Sequence, residues 1–125
     1  MLRGSIVALA MLACAGAAQA AEEEDFEIKD TSDLVMLCAA DPASEVYTAA
    51  INFCHGFAVG AFQYYSTLET VAPGNKFVCI SEPRMSRNDA IAAFVEWVKP
   101  KTELHAKPAV DSLFAWLTAT YPCPK

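Results

Sequence analysis

The residues best suited to chemistry in this sequence are a cysteine and a histidine side by side, Cys54 and His55. A thiolate activated by an imidazole is the nucleophile of many hydrolases. Neighbouring residues on a helix point ~100° apart, so these two side chains do not face each other. We therefore predict no thiol catalysis at this pair and expect Cys54 to form a disulfide.

The other candidates for an active or metal site are a second histidine and several carboxylates. His105 follows Glu103 in a charged stretch, with no serine or cysteine nucleophile in a turn motif, so we expect a solvent-exposed loop histidine. The acidic run at 22–25 (EEED) lacks the glycine and the ligand spacing of a calcium loop. The sequence thus predicts a protein that is not an enzyme and that needs neither metal nor cofactor.

The amino terminus predicts export. Arg3 precedes a short apolar core at 6–13, and the tripeptide 18–20 (AQA) places small residues three and one before a cut. The apolar core is too short for a membrane span of ~20 residues. Residues 1–20 are therefore predicted to be a cleaved secretory signal, and the mature protein is expected in the periplasm.

Export simplifies the cysteine content, because Cys14 leaves with the signal. Four cysteines in a small exported domain indicate two disulfides, and no Cys-x-x-Cys spacing favours a redox or zinc site. In a rival interpretation Cys14 is acylated and tethers the domain to a membrane, but Met11 is a poor residue at the start of a lipoprotein motif. The mature cysteines are Cys38, Cys54, Cys79 and Cys123.

The mature chain is acidic. Removing residues 1–20 leaves 105 residues, with eight Lys and Arg against 15 Asp and Glu, and a net charge of −7. Such a chain, without a basic cluster, is unsuited to nucleic acids and to anionic membrane surfaces, and a basic protein surface is a better partner. Residues 21–30 are polar and expected to be flexible, and residues 31–125 are expected to form one folded domain.

Apolar residues at three- and four-residue steps predict a small all-α domain of four mostly orthogonal or antiparallel helices. Thr31 and Ser32 are expected to cap the first, Asp41-Pro42 to start the second, and Ser86 to cap the third. The second helix has no charged residue from 46 to 68 and is expected to be the most buried element. The predicted helices cover residues 33–38, 42–68, 86–99 and 108–121.

This helix order predicts how the cysteines pair. Cys38 ends the first helix, and a short reversal brings it back to Cys54 in the middle of the second. The last two helices form an antiparallel hairpin that returns Cys123 towards Cys79. We expect the pairs Cys38–Cys54 and Cys79–Cys123.

Gly56 and Gly60 lie four residues apart within the second helix, where each costs about 1 kcal/mol relative to alanine. Together they form a flat notch that another helix can approach closely. The preferred interpretation is a contact with the first or last helix of the same chain. A homodimer seam along this face is the alternative.

Three segments in order resemble a known family: 54–60 (CHGFAVG), 77–80 (FVCI) and 121–123 (YPC), the last preceded by Pro108-Ala109. From Leu34 to Cys123 the chain resembles the Rap/Tai immunity proteins of type VI secretion. One departure is the segment 81–83 (SEP), because the family has proline directly after Cys-Ile.

The resemblance implies a small exported helical protein, often a homodimer, that binds and occludes a cell-wall amidase delivered by a neighbouring or sister cell. Loop 69–76 and connector 99–107 are the expected contact regions, because loops carry recognition on a rigid scaffold. Within the connector, Glu103 and His105 are the predicted partner-binding residues. The alternatives are a periplasmic acid-stress chaperone and an envelope scaffold protein.

Overall fold

The computed structural model describes residues 20–125, and this part of the chain is helical, with no β-strand. The predicted signal peptide up to residue 19, with Cys14, lies outside the described residues. The all-α prediction is confirmed, with a short 3-10 helix and one short α-helix beyond the four expected. The elements are a 3-10 helix at Glu23–Glu27, α1 (Thr31–Cys38), α2 (Tyr47–Val71), α3 (Arg87–Val98), α4 (Thr102–His105) and α5 (Ala109–Thr120).

The first helix is capped one residue earlier than predicted. The Asp30 carboxylate accepts hydrogen bonds from the backbone N–H groups of Ser32 (2.8 Å) and Asp33 (3.3 Å). Thr31 is instead fully buried, with its hydroxyl 2.9 Å from the Lys107 carbonyl and 2.7 Å from Ser112 Oγ. The expected capping residue therefore joins the beginning of α1 to the beginning of α5.

The second helix begins five residues later than predicted, at Tyr47 rather than at Pro42. The Asp41 carboxylate accepts from the Ala43 N–H and its carbonyl accepts from the Ser44 N–H, both at 2.9 Å. Asp41 therefore closes a turn instead of capping a helix, a role for which aspartate is equally suited. The 25 residues of α2 span about 37 Å.

The carboxy-terminal half of α2 is fixed to the chain that follows it by one phenol. Tyr65 Oη accepts hydrogen bonds from the Phe77 N–H (2.9 Å) and the Val78 N–H (3.1 Å), and donates to Glu69 (2.7 Å). Val78 also forms an isolated antiparallel bridge with Pro122. The segment 77–80, which contains this bridge, is extended.

The core lies where α1, α3 and α5 converge, and it contains Leu34, Phe94, Val98 and Leu113. Ser86 caps α3 as predicted, its Oγ accepting from the Asp89 N–H at 3.1 Å. The prediction that the second helix is the most buried element is wrong. Three of the 25 residues of α2 are buried, against five of the 12 residues of α5.

Both disulfides are formed in the predicted pairs. Cys38–Cys54 joins α1 to α2 with the Cα atoms 5.2 Å apart, and Cys79–Cys123 joins the extended segment to the carboxy terminus at 4.9 Å. These bonds hold the longest helix and the last helix to their neighbours.

The amino-terminal segment, for which the sequence predicts flexibility, contains a short helix and contacts α2. The Glu22 N–H donates to the Asp25 carboxylate at 2.7 Å, and a 3-10 helix follows. Phe26 packs edge-on against Phe53 of α2, with the ring centroids 5.5 Å apart. Ala21 is buried in a small second cluster with residues of α1 and α2.

Candidate functional site

An open groove with a volume of about 330 Å³ lies between α2, α3 and α5. Its volume is near the lower end of the range of small-molecule pockets, about 300–1,000 Å³. The groove is almost wholly apolar. Its walls include Val59, Phe62, Ile80, Ile91, Leu113 and Trp116.

Helical spacing explains why these side chains share the groove. On α2, His55, Val59 and Phe62 follow at steps of four and three residues, so they project from one side of the helix. The same spacing aligns Leu113 with Trp116 on α5. The segment between α2 and α3 closes one side of the groove.

The polar side chains at the groove are cationic or neutral. Arg84 and Arg87 line it beside His55 and Gln63, and among the described residues 20–125 no Asp or Glu lines it. Arg84 Nε lies 2.9 Å from a Glu82 carboxylate oxygen, and this pair is largely exposed. The groove therefore combines an apolar interior with a positive edge on an acidic protein.

His55 is part of this wall, and the cysteine next to it is not available for catalysis. The neighbouring Cys54 is held in a disulfide, which leaves no thiolate for nucleophilic chemistry. The Nε2 atom of His55 is buried and makes no hydrogen bond within the described part of the chain. The arrangement can bind a polar group at this position, but it does not assemble a nucleophile and a base.

The glycine pair lies on a different side of α2. A Cβ atom added at Gly56 or at Gly60 would meet nothing within 4 Å. The preferred interpretation, a contact with another helix of the same chain, is therefore wrong. The two glycines continue at four- and three-residue steps into Tyr64, Leu68 and Val71, which are 67%, 44% and 71% exposed. We call these five residues the outer face of α2.

The two residues predicted to bind a partner lie in the connector, away from the groove. Glu103 is exposed. His105 is half-buried, with its ring Nε2 3.3 Å from the Val98 carbonyl, and its own carbonyl accepts from the Ser32 hydroxyl. The expectation of an exposed loop histidine is wrong, because α4 turns the imidazole back onto the end of α3.

The two tryptophans differ in how deeply they are buried. Trp116 is buried, and its ring lies edge-on to Phe94 and to Tyr121. Trp97 is half-buried, with the Lys101 ammonium 4.1 Å from its ring centroid. Trp116 thus belongs to the core and the groove wall, while Trp97 supports the connector.

Lys29, in the amino-terminal segment, forms an exposed ion pair with Glu27. The Glu27 carboxylate, 3.0 Å from Lys29 Nζ, raises the pKa of this exposed lysine through a hydrogen bond and its charge. Within residues 20–125 no cluster of three His, Cys, Asp or Glu side chains could hold a metal ion. None of the helices in the same range has the length and apolarity needed to cross a membrane.

The groove was not predicted from the sequence. One usable signal was that Arg84 and Arg87 are the only arginines after Arg3, three residues apart in an acidic chain. Another was Met85 between them, an apolar residue outside every predicted helix stripe. Neither signal shows that four separate segments meet at one surface.

Comparison with known proteins gives one clear relationship. No curated protein and no solved structure matches the chain. Residues 30–123 match the Rap1a immunity proteins, from the cap of α1 to the last cysteine. This match confirms the resemblance to Rap/Tai immunity proteins and covers three quarters of the sequence. The chain belongs to the Rap1a immunity protein family.

Proposed function

We propose that this protein acts in the periplasm as an immunity protein that binds and inhibits a cell-wall amidase delivered by type VI secretion. The observation that carries the proposal is the family match over residues 30–123. An immunity protein acts by binding a partner effector, and a preformed groove on a cross-linked scaffold suits that task. We further propose that the chain has no enzymatic activity of its own.

The periplasmic location draws on two features. Residues 1–20 carry the charge, apolar core and small residues of a cleaved signal. Two disulfides join the four mature cysteines, and such bonds persist in oxidising compartments such as the periplasm. Peptidoglycan lies in the same compartment, so inhibitor and amidase would meet there.

Competition between sister cells tests this function. We expect cells that lack the gene to lyse when their sisters deliver the amidase, and to survive when the full chain is restored. A chain of residues 21–125 kept in the cytoplasm is the matched control, and it should not protect. Purified mature protein should also stop the amidase from cleaving peptidoglycan. Survival of the deletion strain, together with uninhibited amidase, would contradict the proposal.

We also propose that two copies associate through the outer face of α2. Gly56 and Gly60 leave open space there, and Tyr64 and Val71 expose apolar surface beside them. Sedimentation of the mature protein should show a dimer, and Gly60→Leu should convert it to a monomer of unchanged helix content. A wild-type protein that stays monomeric at its highest soluble concentration would exclude the dimer.

The exposed apolar residues of α2 also favour a second candidate, an acid-stress chaperone that binds unfolded clients. Tyr64, Leu68 and Val71 offer a client the kind of surface that chaperones use. Suppression of client aggregation at low pH, in the absence of any amidase inhibition, would favour this function over immunity. A protein that remains folded and gives no client protection would exclude it.

A further inference from the structure

We propose that the groove between α2, α3 and α5 is the docking site for the effector, and that it receives a large apolar side chain adjacent to a carboxylate. The inference rests on the proposed immunity function and specifies the partner's chemistry. It places recognition on a surface distinct from the connector 99–107 and from the outer face of α2.

The shape of the groove fits an anchoring side chain. Ala58 and Ala90 line it, and these small residues leave room between the larger walls. A second cavity of about 40 Å³ adjoins the groove and shares Ala58, Ile91 and Trp116 with it. Binding energy at protein interfaces is concentrated in a few large side chains that enter pockets of this kind.

The charges at the groove indicate that the effector has a carboxylate next to its anchoring side chain. The whole chain carries a net charge of −6, yet in the part that the structure describes the groove is lined by two arginines and by no carboxylate. Arg84 is already paired with Glu82. Arg87 is exposed and makes no ion pair within residues 20–125, so its guanidinium is available to bind a partner's carboxylate in a bidentate manner.

His55 adds a polar point inside the apolar wall. Its Nε2 is buried without a hydrogen-bond partner, an arrangement that costs free energy in the unbound protein. A small adjustment of the imidazole on binding would let this nitrogen bond a backbone or side-chain group of the partner. A ligand with no polar group near its apolar part would leave the His55 Nε2 atom without a hydrogen bond, and the free-energy cost would remain.

A protein segment fits the groove better than a lipid chain. The cavity beside the groove holds only about 40 Å³, so a long acyl chain would lie in the open groove with one side in water. A folded partner covers the groove around its anchor and excludes that water. Met85, 44% exposed at the edge, has a flexible side chain that can close over such an anchor.

In vivo photo-cross-linking tests the docking site with the full exported chain. The photoreactive residue p-benzoylphenylalanine is placed at Met85 or Gln63 in the groove, at Glu103 in the connector, or at Tyr64 on the outer face. The target is the amidase that kills cells lacking this gene, identified by mass spectrometry of the cross-linked product. All four positions are exposed, so the substitutions leave the core intact.

We expect the amidase to cross-link at Met85 and Gln63. Arg87→Glu should lower that yield and the affinity for the purified amidase about tenfold, because it replaces a partner of the carboxylate with a like charge. Glu is favourable in the first turn of α3, so the fold is retained. Lys125→Glu, the same change of charge at an exposed site away from the groove, should have no effect.

The other outcomes separate the inference from the proposed function. An amidase cross-linked only at Glu103 would overturn the groove as the docking site and leave the immunity function intact. A lipid or a second copy of this chain at Met85, without the amidase, would also overturn it. Absence of amidase at all four positions, with no protection of cells, would overturn the immunity function and the docking site together.

Discussion

The helices α2 and α5 are both largely apolar, but they have opposite places in the molecule. α5 is half the length of α2 but has more buried residues, because it packs against α1 and α3 at the centre of the core. α2 rests on its neighbours along one side, borders the groove on a second, and leaves its outer face open. The absence of charged residues in a helix therefore does not show that the helix is buried. Because α2 has more apolar surface than the core covers, part of that surface is open to other molecules.

A matched pair of leucines gives the largest contrast between the helices. Leu113→Ala in α5 removes a side chain that is 3% exposed, and it should lower the free energy of unfolding by about 2–5 kcal/mol. Leu68→Ala in α2, where the side chain is 44% exposed, should cost less than about 1 kcal/mol in the monomer. Urea denaturation of the two variants measures both values. Equal losses would show that α2 is as deeply packed as α5.

The two disulfides give a second comparison of α5 with α2, through the stability that each bond contributes. Cys79–Cys123 spans 44 residues and anchors the end of α5, while Cys38–Cys54 spans 16 and anchors α2. In the chain-entropy model the bonds stabilise the fold by about 4 and 3 kcal/mol respectively. Paired Cys→Ser variants, compared by thermal and urea unfolding, should preserve this order. The reverse order would indicate that the attachment of α2 matters more than the closure of the core.

A buried hydroxyl tests the link between α1 and α5. Thr31→Val keeps the shape but removes the group that contacts Lys107 and Ser112, and it should cost about 1–3 kcal/mol. Thr67→Val in α2 is the control, because that exposed hydroxyl bonds only to a carbonyl of its own helix. We expect a change within about 0.5 kcal/mol for the control, measured by the same denaturation.

The smallest effect concerns the outer face of α2. Gly60→Ala should raise the stability of the monomer by about 0.5–1 kcal/mol, because the new methyl group meets no atom and alanine favours the helix. Gly74→Ala should do the opposite, since Gly74 has a φ of +106°. Denaturation at a concentration below dimer formation gives both values. Destabilisation by Gly60→Ala would reveal a close contact on this face.

Local signals predicted most of the fold. The apolar spacing of α3 and α5 and the Ser86 cap each act over a few residues, and both agree with the structure. The helix order then predicted the two cysteine pairs, although Cys79 and Cys123 are 44 residues apart. Two helix starts were misplaced where local signals have two uses. Asp41 can begin a turn as well as a helix, and Thr31 is needed in the core more than at the cap.

The candidate site was less accessible to sequence reasoning, for a physical reason. The groove is lined by side chains from α2, α3, α5 and the segment before α3. These segments are far apart in the sequence, and no local pattern indicates that they lie side by side in the fold. The orientation of His105 likewise depends on where α4 places it relative to Val98. The sequence offered two signals, the arginines in an acidic chain and Met85 between them, and neither was enough to identify the groove.

The contact of Thr31 with residues 107 and 112 also constrains the order in which the domain assembles. A chain emerges amino end first, so α1 and Cys54 are present long before Lys107 and Ser112. The α1–α2 pair can therefore form and close its disulfide while the beginning of α1 still lacks its partners. Completion of the core waits for the final helix, and until then the apolar side of α2 that borders it stays exposed to chaperones and proteases.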